Sequence, residues 1–542
     1  MDRINAEMPD TLLLAEAFWM LEGYFVRTLG MHRVYNSAFM HMTSNEHNAD
    51  YRSLVRNVLE FDPEILKRFV NFMNNPDEET AATQFGTGDK YFGVCTLMVT
   101  MPGLPMFGHG QLEGFTEKYG MEFRRAQWQE QPDEALVERH RREISPLLHR
   151  REQFAQTADF LFYDVRNEHG TDEHVYAYSN RVDGRASLVV YHNRYAETSG
   201  WITESVPFKD KASGSVRTRH VADGLGLRAG PDDYVLFREH RSGLEYIRAS
   251  RDVADRGFPV SLAAYDYRVY LDIREVTDTT GAYGALAYRL DGIGVPSLEE
   301  VLEELRTEPL REAVAALVEA ARPVLAGAAG APDLEVDLRR VADEAAALGG
   351  KPIAVRKVYE DFLADLEVAA RAAIDDRREP PFDPGWLVVL ALLRAYPEGS
   401  RLPLRLASLD LEGAALWAPA LPILMRHAAA ARSWVRGRGT AAGLGRLVES
   451  LLEDDEVRDL LHVHEHGGIV WFDRDGFRTL ARGLVVAGLL GSRSPAIADR
   501  AAALQAVVER AEDRSGYRLE RLLGAPPAAR RPGSGPPPAE TS

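Results

Sequence analysis

Leu12-Leu13-Leu14-Ala15-Glu16-Ala17-Phe18-Trp19 is the stretch on which the fold turns. A short apolar run ends in a carboxylate, Glu16, and an indole follows at Trp19. Runs of the same kind lie at 34–40, 68–74 and 94–100, and with 11–17 they make four. Each has the length and apolar content of a strand covered on both faces. Helical patterning, as over 51–60, separates them, so the first 154 residues predict a parallel β/α sheet closed by a charged amphipathic helix over 133–154. Chemistry in such folds gathers at the carboxyl ends of the strands. A carboxyl on an apolar shelf there would have its pKa raised by desolvation, as a general acid needs. The competing reading is a Glu that points to solvent past the strand.

Two more segments share this design. Arg68-Phe69-Val70-Asn71-Phe72-Met73-Asn74-Asn75-Pro76-Asp77-Glu78 ends in Asn-Pro-Asp, which by itself is strong turn chemistry. The segment 100–114 carries Pro102, Gly103, Pro105, Gly108 and Gly110, which predict a shaped loop rather than a helix.

Beyond residue 154 the texture changes. From 155 to 293, aromatic and β-branched runs at 175–180, 187–192, 234–238 and 267–273 alternate with turns such as Asp183-Gly184. They predict an antiparallel β-sandwich. From 294 to 524 the chain is rich in Ala, Leu, Arg and Glu at helical spacing and predicts an α-helical region. The tail 525–542 is a low-complexity Pro/Ala/Gly segment, expected to be disordered. The fold class is therefore multidomain, with α/β, all-β and all-α parts.

Composition narrows the function. The net charge of −18 disfavours nucleic acid and anionic membrane surfaces as main partners, while neutral sugars remain compatible. Cys95 is the single cysteine, so no intrachain disulfide is possible, and its apolar surroundings predict an inert buried thiol. The N-terminus lacks a basic segment followed by an apolar one, and no apolar stretch reaches 18 residues. A cytoplasmic protein is the expectation.

Taken in order, Glu16, Asn75-Pro76-Asp77 and the loop from Pro102 to Glu113 resemble the ends of strands five, seven and eight of the α-amylase superfamily barrel, glycoside hydrolase family 13. Residues 31–40 fall where strand six belongs, and 142–150 resemble the last barrel helix. Tyr176–Arg181 and Leu188–Asn193 resemble the C-terminal sandwich, so the likeness covers about residues 1–290. It implies the second half of a (β/α)8 TIM-type barrel acting on α-glucans as a retaining glycosidase. By the resemblance Glu16 is the acid/base and Asp77 the transition-state stabiliser, with Asn75 and Trp19 binding substrate. It implies no cofactor and no metal site.

Two departures qualify this. Pro76 replaces the family's sugar-binding His, and a proline also occurs there in related maltosyltransferases, so transfer stays open beside hydrolysis. The nucleophilic Asp of strand four has no counterpart, and Asp2 and Asp10 follow no buried strand. Retaining glycosidases need a nucleophile about 5–5.5 Å from the acid/base. The expectation is a fragment of a longer hydrolase, or one half of a two-chain enzyme, or a degenerate barrel kept as a carbohydrate-binding or interaction module.

Other features are weighed against plainer uses. His462, His464 and His466 alternate as strand-borne metal ligands would, but Gly467-Gly468 and the apolar run behind them fit a solvated turn. Trp201 and Trp386 are potential sugar platforms, although core packing is the commoner use of tryptophan.

Overall fold

The computed structural model describes residues 2–8, 10–16, 22–118, 125–326, 333–349, 352–372, 383–396, 402, 404–437, 439–492 and 496–524. The chain forms two units, Met1–Leu305 and Arg306–Ser542. Trp19 and the tail 525–542 lie outside the described residues.

The first unit opens with a four-stranded sheet built from β1 (Leu14–Ala15), β2 (Arg33–Tyr35), β3 (Phe69–Phe72) and β4 (Leu104–Met106). The strands lie side by side in chain order, and every pair is parallel. Three expected boundaries are corrected. The run at 34–40 stops as a strand at Tyr35, because the Asn36 side chain accepts the Phe39 amide and caps a helix over Ser37–Ser44. The run at 94–100 is the end of a helix, Asp89–Thr100. Every residue from Tyr91 to Thr100 is buried, so this helix is apolar all round and its sequence shows no amphipathic stripe to tell it from a buried strand. The fourth strand lies instead inside the proline-glycine segment. Gly103 admits it: its φ is +115°, and a Cβ there would sit 2.6 Å from the Phe69 carbonyl oxygen. The helix expected over 133–154 is broken into Glu134–Glu143, Ser145–His149 and Arg151–Ala155, with Pro146 at the first break.

The antiparallel part follows. Its strands are β5 (Leu161–Asn167), β6 (Gly170–Thr171), β7 (Val175–Val182), β8 (Arg185–His192), β9 (Thr198–Ser205), β12 (Asp233–Glu239), β13 (Glu245–Ala249), β14 (Phe258–Leu262) and β15 (Tyr267–Thr277). Between β9 and β12 a two-stranded ribbon joins β10 (Phe208–Lys209) to β11 (Val216–Arg217). Where two separate sheets of a sandwich were expected, one continuous nine-stranded sheet runs in the order β13-β12-β15-β8-β7-β5-β9-β14, with β6 on β5. Register shifts at Tyr163/Val165, Leu236/Arg238 and Tyr270/Ile273 bend it. The Asp183-Gly184 turn between β7 and β8 has both residues at positive φ, as a tight hairpin requires.

One hydrophobic core joins both sheets, from Val34 and Phe69 through Phe92 and Leu97 to Tyr176 and Tyr191. The contact is closest at Gly93, where a Cβ would lie 2.0 Å from the Tyr191 ring. Cys95 is fully buried, and burial pushes its thiol pKa up.

Polar groups tie the same two layers. Arg52, on the helix Asn48–Phe61, is fully buried. Its guanidinium donates to Asp164 Oδ1 at 2.6 Å, to Glu173 Oε2 at 2.8 Å and to the Val175 carbonyl. Beside it Asn48 bonds the Asn193 carbonyl at 2.9 Å and accepts from Tyr176 Oη at 2.9 Å. Glu143 is 3 % exposed and is held by the Tyr267 hydroxyl, Arg142 and Arg139. Burial alone would raise its pKa, but these donors outweigh burial and lower it.

Among the described residues the second unit is helical apart from the hairpin β16 (His464–His466) and β17 (Ile469–Trp471). Its core gathers Phe362, Trp386, Leu421 and Leu484. Trp386 is fully buried and donates to the Glu412 carbonyl at 2.7 Å, so it packs the core and cannot serve as a sugar platform. Asp365, with no exposure, pairs bidentately with Arg394 and accepts the Gly491 amide at 2.8 Å. Among the described residues no helix is long and apolar enough to cross a membrane.

Two outcomes follow from the polar ties. Arg52→Met should lower the unfolding free energy by about 3 kcal/mol, the low end for breaking a buried pair because Glu173 keeps some water contact; urea unfolding measures it. A lowered folded-state pKa makes the Glu143 carboxylate stabilising above the ordinary Glu value of 4.5, with that stability lost as pH falls below it. The fall in melting temperature between pH 7 and acid pH should therefore be shallower in Glu143→Gln.

Candidate active site

The register of the parallel sheet sets the geometry. Ala15 pairs with Val34, Val34 with Phe69, and Val70 with Leu104. Glu16, one residue past β1, thus leaves the same edge as Tyr35 and Val70, the carboxyl edge, from which the Asn74–Glu78 turn and the loop after β4 also rise. Glu16 is exposed and does not sit on the expected apolar shelf, because β1 is an edge strand of two residues with its outer side uncovered by any described strand.

Asp77 is placed by its neighbours. Asn75 is buried, and its Oδ1 accepts the amides of Asp77 and Glu78, both at 3.0 Å. This Asx turn leaves Asp77 exposed at the tip while Glu78 lies 3.6 Å from His41 Nε2. Asn75 therefore shapes the turn through its side-chain oxygen.

Tyr35 links the two acids. Burial raises its pKa first, and the charges of Glu16 and Asp77 raise it further. Both carboxylates therefore act on one phenol, which packs against the Phe72 ring at 5.3 Å. Tyr35 carries no signal of its own in the sequence, since aromatic residues in apolar runs are usually core. Under it the buried amides of Asn36 and Asn71 join at 2.9 Å, and Asn71 donates on to the Pro102 carbonyl at 3.3 Å, so β2, β3 and the start of the β4 loop are stitched together. A polar residue inside each of two apolar runs was the only signal for them.

The loop after β4 is fixed from below. Gln111 Oε1 accepts the Gly108 amide at 3.1 Å, and the Gln111 carbonyl accepts from Tyr91 Oη at 2.8 Å. Tyr91 Oη lies 2.7 Å from His140 Nε2. Tyr91 spends its proton on Gln111, so His140 donates to it and is neutral; burial holds the His140 pKa down to about 4. Arg151 donates to the Val99 and Met101 carbonyls at 3.0 and 2.8 Å and to the Gly103 carbonyl, and burial lowers its pKa to about 10.

Glu16 and Asp77 both lie close enough to Tyr35 for their charges to raise its pKa. Among the described residues no group of three or more His, Cys, Asp or Glu could hold a metal, and His464 and His466 stand exposed on the hairpin strand β16.

No family model matches the chain, and no curated protein matches it. Solved structures do. An Anoxybacillus α-amylase is 12% identical, with 52% of this chain and 55% of that one covered at a TM-score of 0.34. A Nostoc punctiforme debranching enzyme is 14% identical, covering 50% and 54% at 0.34. The cyclomaltodextrin glucanotransferase CldA is 15% identical, covering 50% and 52% at 0.32. The chain spans about half the length of these structures.

If both acids flank Tyr35, neutralising either one should lower the Tyr35 pKa. Carbon-13 NMR of Tyr Cζ against pH, in Glu16→Gln and Asp77→Asn, reads this. An unmoved Tyr35 titration in both variants would place the carboxylates apart.

Proposed function

We propose that this chain carries half of an α-glucan-active site of the retaining glycosidase type, with Glu16 as acid/base and Asp77 as transition-state stabiliser. The observation that carries the proposal is the shared influence of Glu16 and Asp77 on Tyr35 at the carboxyl edge of a parallel sheet. In this reading Glu16 protonates the leaving glycosidic oxygen and then deprotonates the incoming water or sugar hydroxyl. Asp77 stabilises the positive charge that develops on the sugar ring. Asn75 acts on substrate by holding the Asp77 turn, and Trp19 is a further contact for the sugar. Pro76 leaves the family's imidazole contact empty, so transfer to a sugar acceptor stands beside hydrolysis as the reaction.

A nucleophile must come from elsewhere. The outer sides of β1 and β4 are uncovered among the described residues, and Leu14 and Leu104 are exposed there. Uncovered edges of this kind accept further strands. We place those strands, and the nucleophilic Asp, on a separate polypeptide that carries the first half of the barrel. The single buried thiol fits a cytoplasmic setting. A non-catalytic carbohydrate-binding module is the second reading, supported by the exposure of Glu16.

The test is complementation. The chain, mixed or co-expressed with a polypeptide carrying four β/α units and a strand-four Asp, should release or transfer sugar from a maltooligosaccharide. Glu16→Gln should cut that rate by about 10²–10⁴-fold. Activity that survives Glu16→Gln unchanged would refute the assignment.

A further inference from the structure

We infer that His174 is an acid-sensitive latch between the two layers of the first unit: as a neutral imidazole it holds Asn48, and once protonated it lets that anchor go. The inference stands apart from the sugar chemistry proposed above.

His174 lies in the short connection from β6 to β7, and Asn48 begins the helix Asn48–Phe61 of the parallel layer. Asn48 is 1 % exposed, and its hydrogen bonds fix which way its amide faces. Oδ1 accepts from Tyr176 Oη at 2.9 Å and from Asn193 Nδ2 at 2.8 Å. Nδ2 donates to the Asn193 carbonyl at 2.9 Å and faces His174 Nδ1 at 3.1 Å. On the far side of the ring, Arg194 Nη1 lies 3.3 Å from Nε2. Both nitrogens of the imidazole therefore meet groups that can only donate. A neutral ring has one acceptor nitrogen, and an imidazolium has none. Asn48 is buried and held, whereas the Arg194 contact is exposed and can give way to water. Nδ1 is thus the acceptor, and Nε2 bears the proton of the neutral ring.

A second proton finds no acceptor. At Nδ1 it sets one N–H against another and breaks the Asn48 bond, which leaves a buried donor unmet. Burial comes first among the influences against that proton, and the Arg194 and His192 charges add to it. Asp172 and Glu46 favour the proton but do not prevail, so the His174 pKa is lowered. Glu173 is engaged by Arg52, and Lys90 by Glu46. A folded-state value below the ordinary 6.5 gives stability that is complete above 6.5 and is lost as pH falls through the lowered value. Histidine is the side chain suited to switching in this range. The bond at stake is central to the seam. Through Tyr176 and Asn193, Asn48 ties its helix to β7 and to the end of β8, and the Asn193 amide returns to the His174 carbonyl at 2.9 Å.

The test is hydrogen exchange of the whole chain at about pH 7.5 and about pH 5, corrected for the intrinsic rate and read on peptides covering 43–52 and 172–178. His174→Gln keeps an acceptor for Asn48 and does not titrate, while His174→Lys carries a permanent charge. Acid should lower protection of these peptides about tenfold in the wild type, as expected for one lost hydrogen bond with its donor left unmet. His174→Gln should hold its protection at both pH values, and His174→Lys should show the acid level already at neutral pH. Carbon-13 NMR of the imidazole gives a reading without a variant: His174 should titrate below 6.5 in the wild type. Equal loss of protection in wild type and His174→Gln, or no loss in the wild type, would overturn the latch. Full protection of His174→Lys at neutral pH, or a His174 titration above 6.5, would overturn it as well.

Discussion

A guanidinium with no contact to water decides how the first unit is assembled. Arg52 leaves a helix of the parallel layer and ends among Asp164, Glu173 and the Val175 carbonyl of the antiparallel sheet. Removing such a charge from water costs several kcal/mol unless every donor is met. Its planar fork meets three acceptors at fixed angles, so only one mutual orientation of the two layers satisfies it. The Asn48–Tyr176–Asn193 group repeats the constraint a turn away. Hydrophobic burial supplies the drive for the layers to meet, and it is indifferent to rotation. Orientation therefore falls to the polar contacts.

That orientation matters to the chemistry. Among the described residues the parallel sheet has four strands, and two of them are edges. A closed barrel would hold its strands by mutual pairing. Here the antiparallel sheet, through the shared core and the Arg52 node, performs part of that task. The carboxyl edge keeps its shape through internal stitching: Asn36 to Asn71, Asn71 to Pro102, Asn75 to Asp77, and Gln111 to Tyr91. Each of these amides or hydroxyls fixes a backbone turn, so the carboxyl edge that bears Glu16 and Asp77 is held in shape by its own side chains.

Much of this frame was legible in the residues. Apolar runs separated by helical patterning gave the parallel sheet, and the Asp183-Gly184 dipeptide gave a true hairpin. The failures have physical causes. Residues 94–100 look the same as a strand because a helix buried on every side has no polar face. β4 was hidden because Pro105 is a poor strand residue, tolerated at an edge where an amide hydrogen has no partner to meet. The sandwich became one sheet because bulges, which leave no mark on alternation, set its bend. Of the proposed site, Glu16 and Asp77 were visible as carboxylates ending apolar runs. Tyr35, Arg52, His140 and Arg151 were not, since each takes its meaning from residues far away in the chain.

The approach of Gly93 to Tyr191 has a longer reach than packing. A methyl at 93 would overlap the ring, so the two positions are not free to drift separately in descendants of this chain. A larger residue at 93 becomes tolerable only after the ring at 191 has shrunk, and the ring can be regained only after glycine returns. The lineage thus carries a fixed order of change at this seam between helix and sheet, and paired substitutions there would record which branches had repacked it.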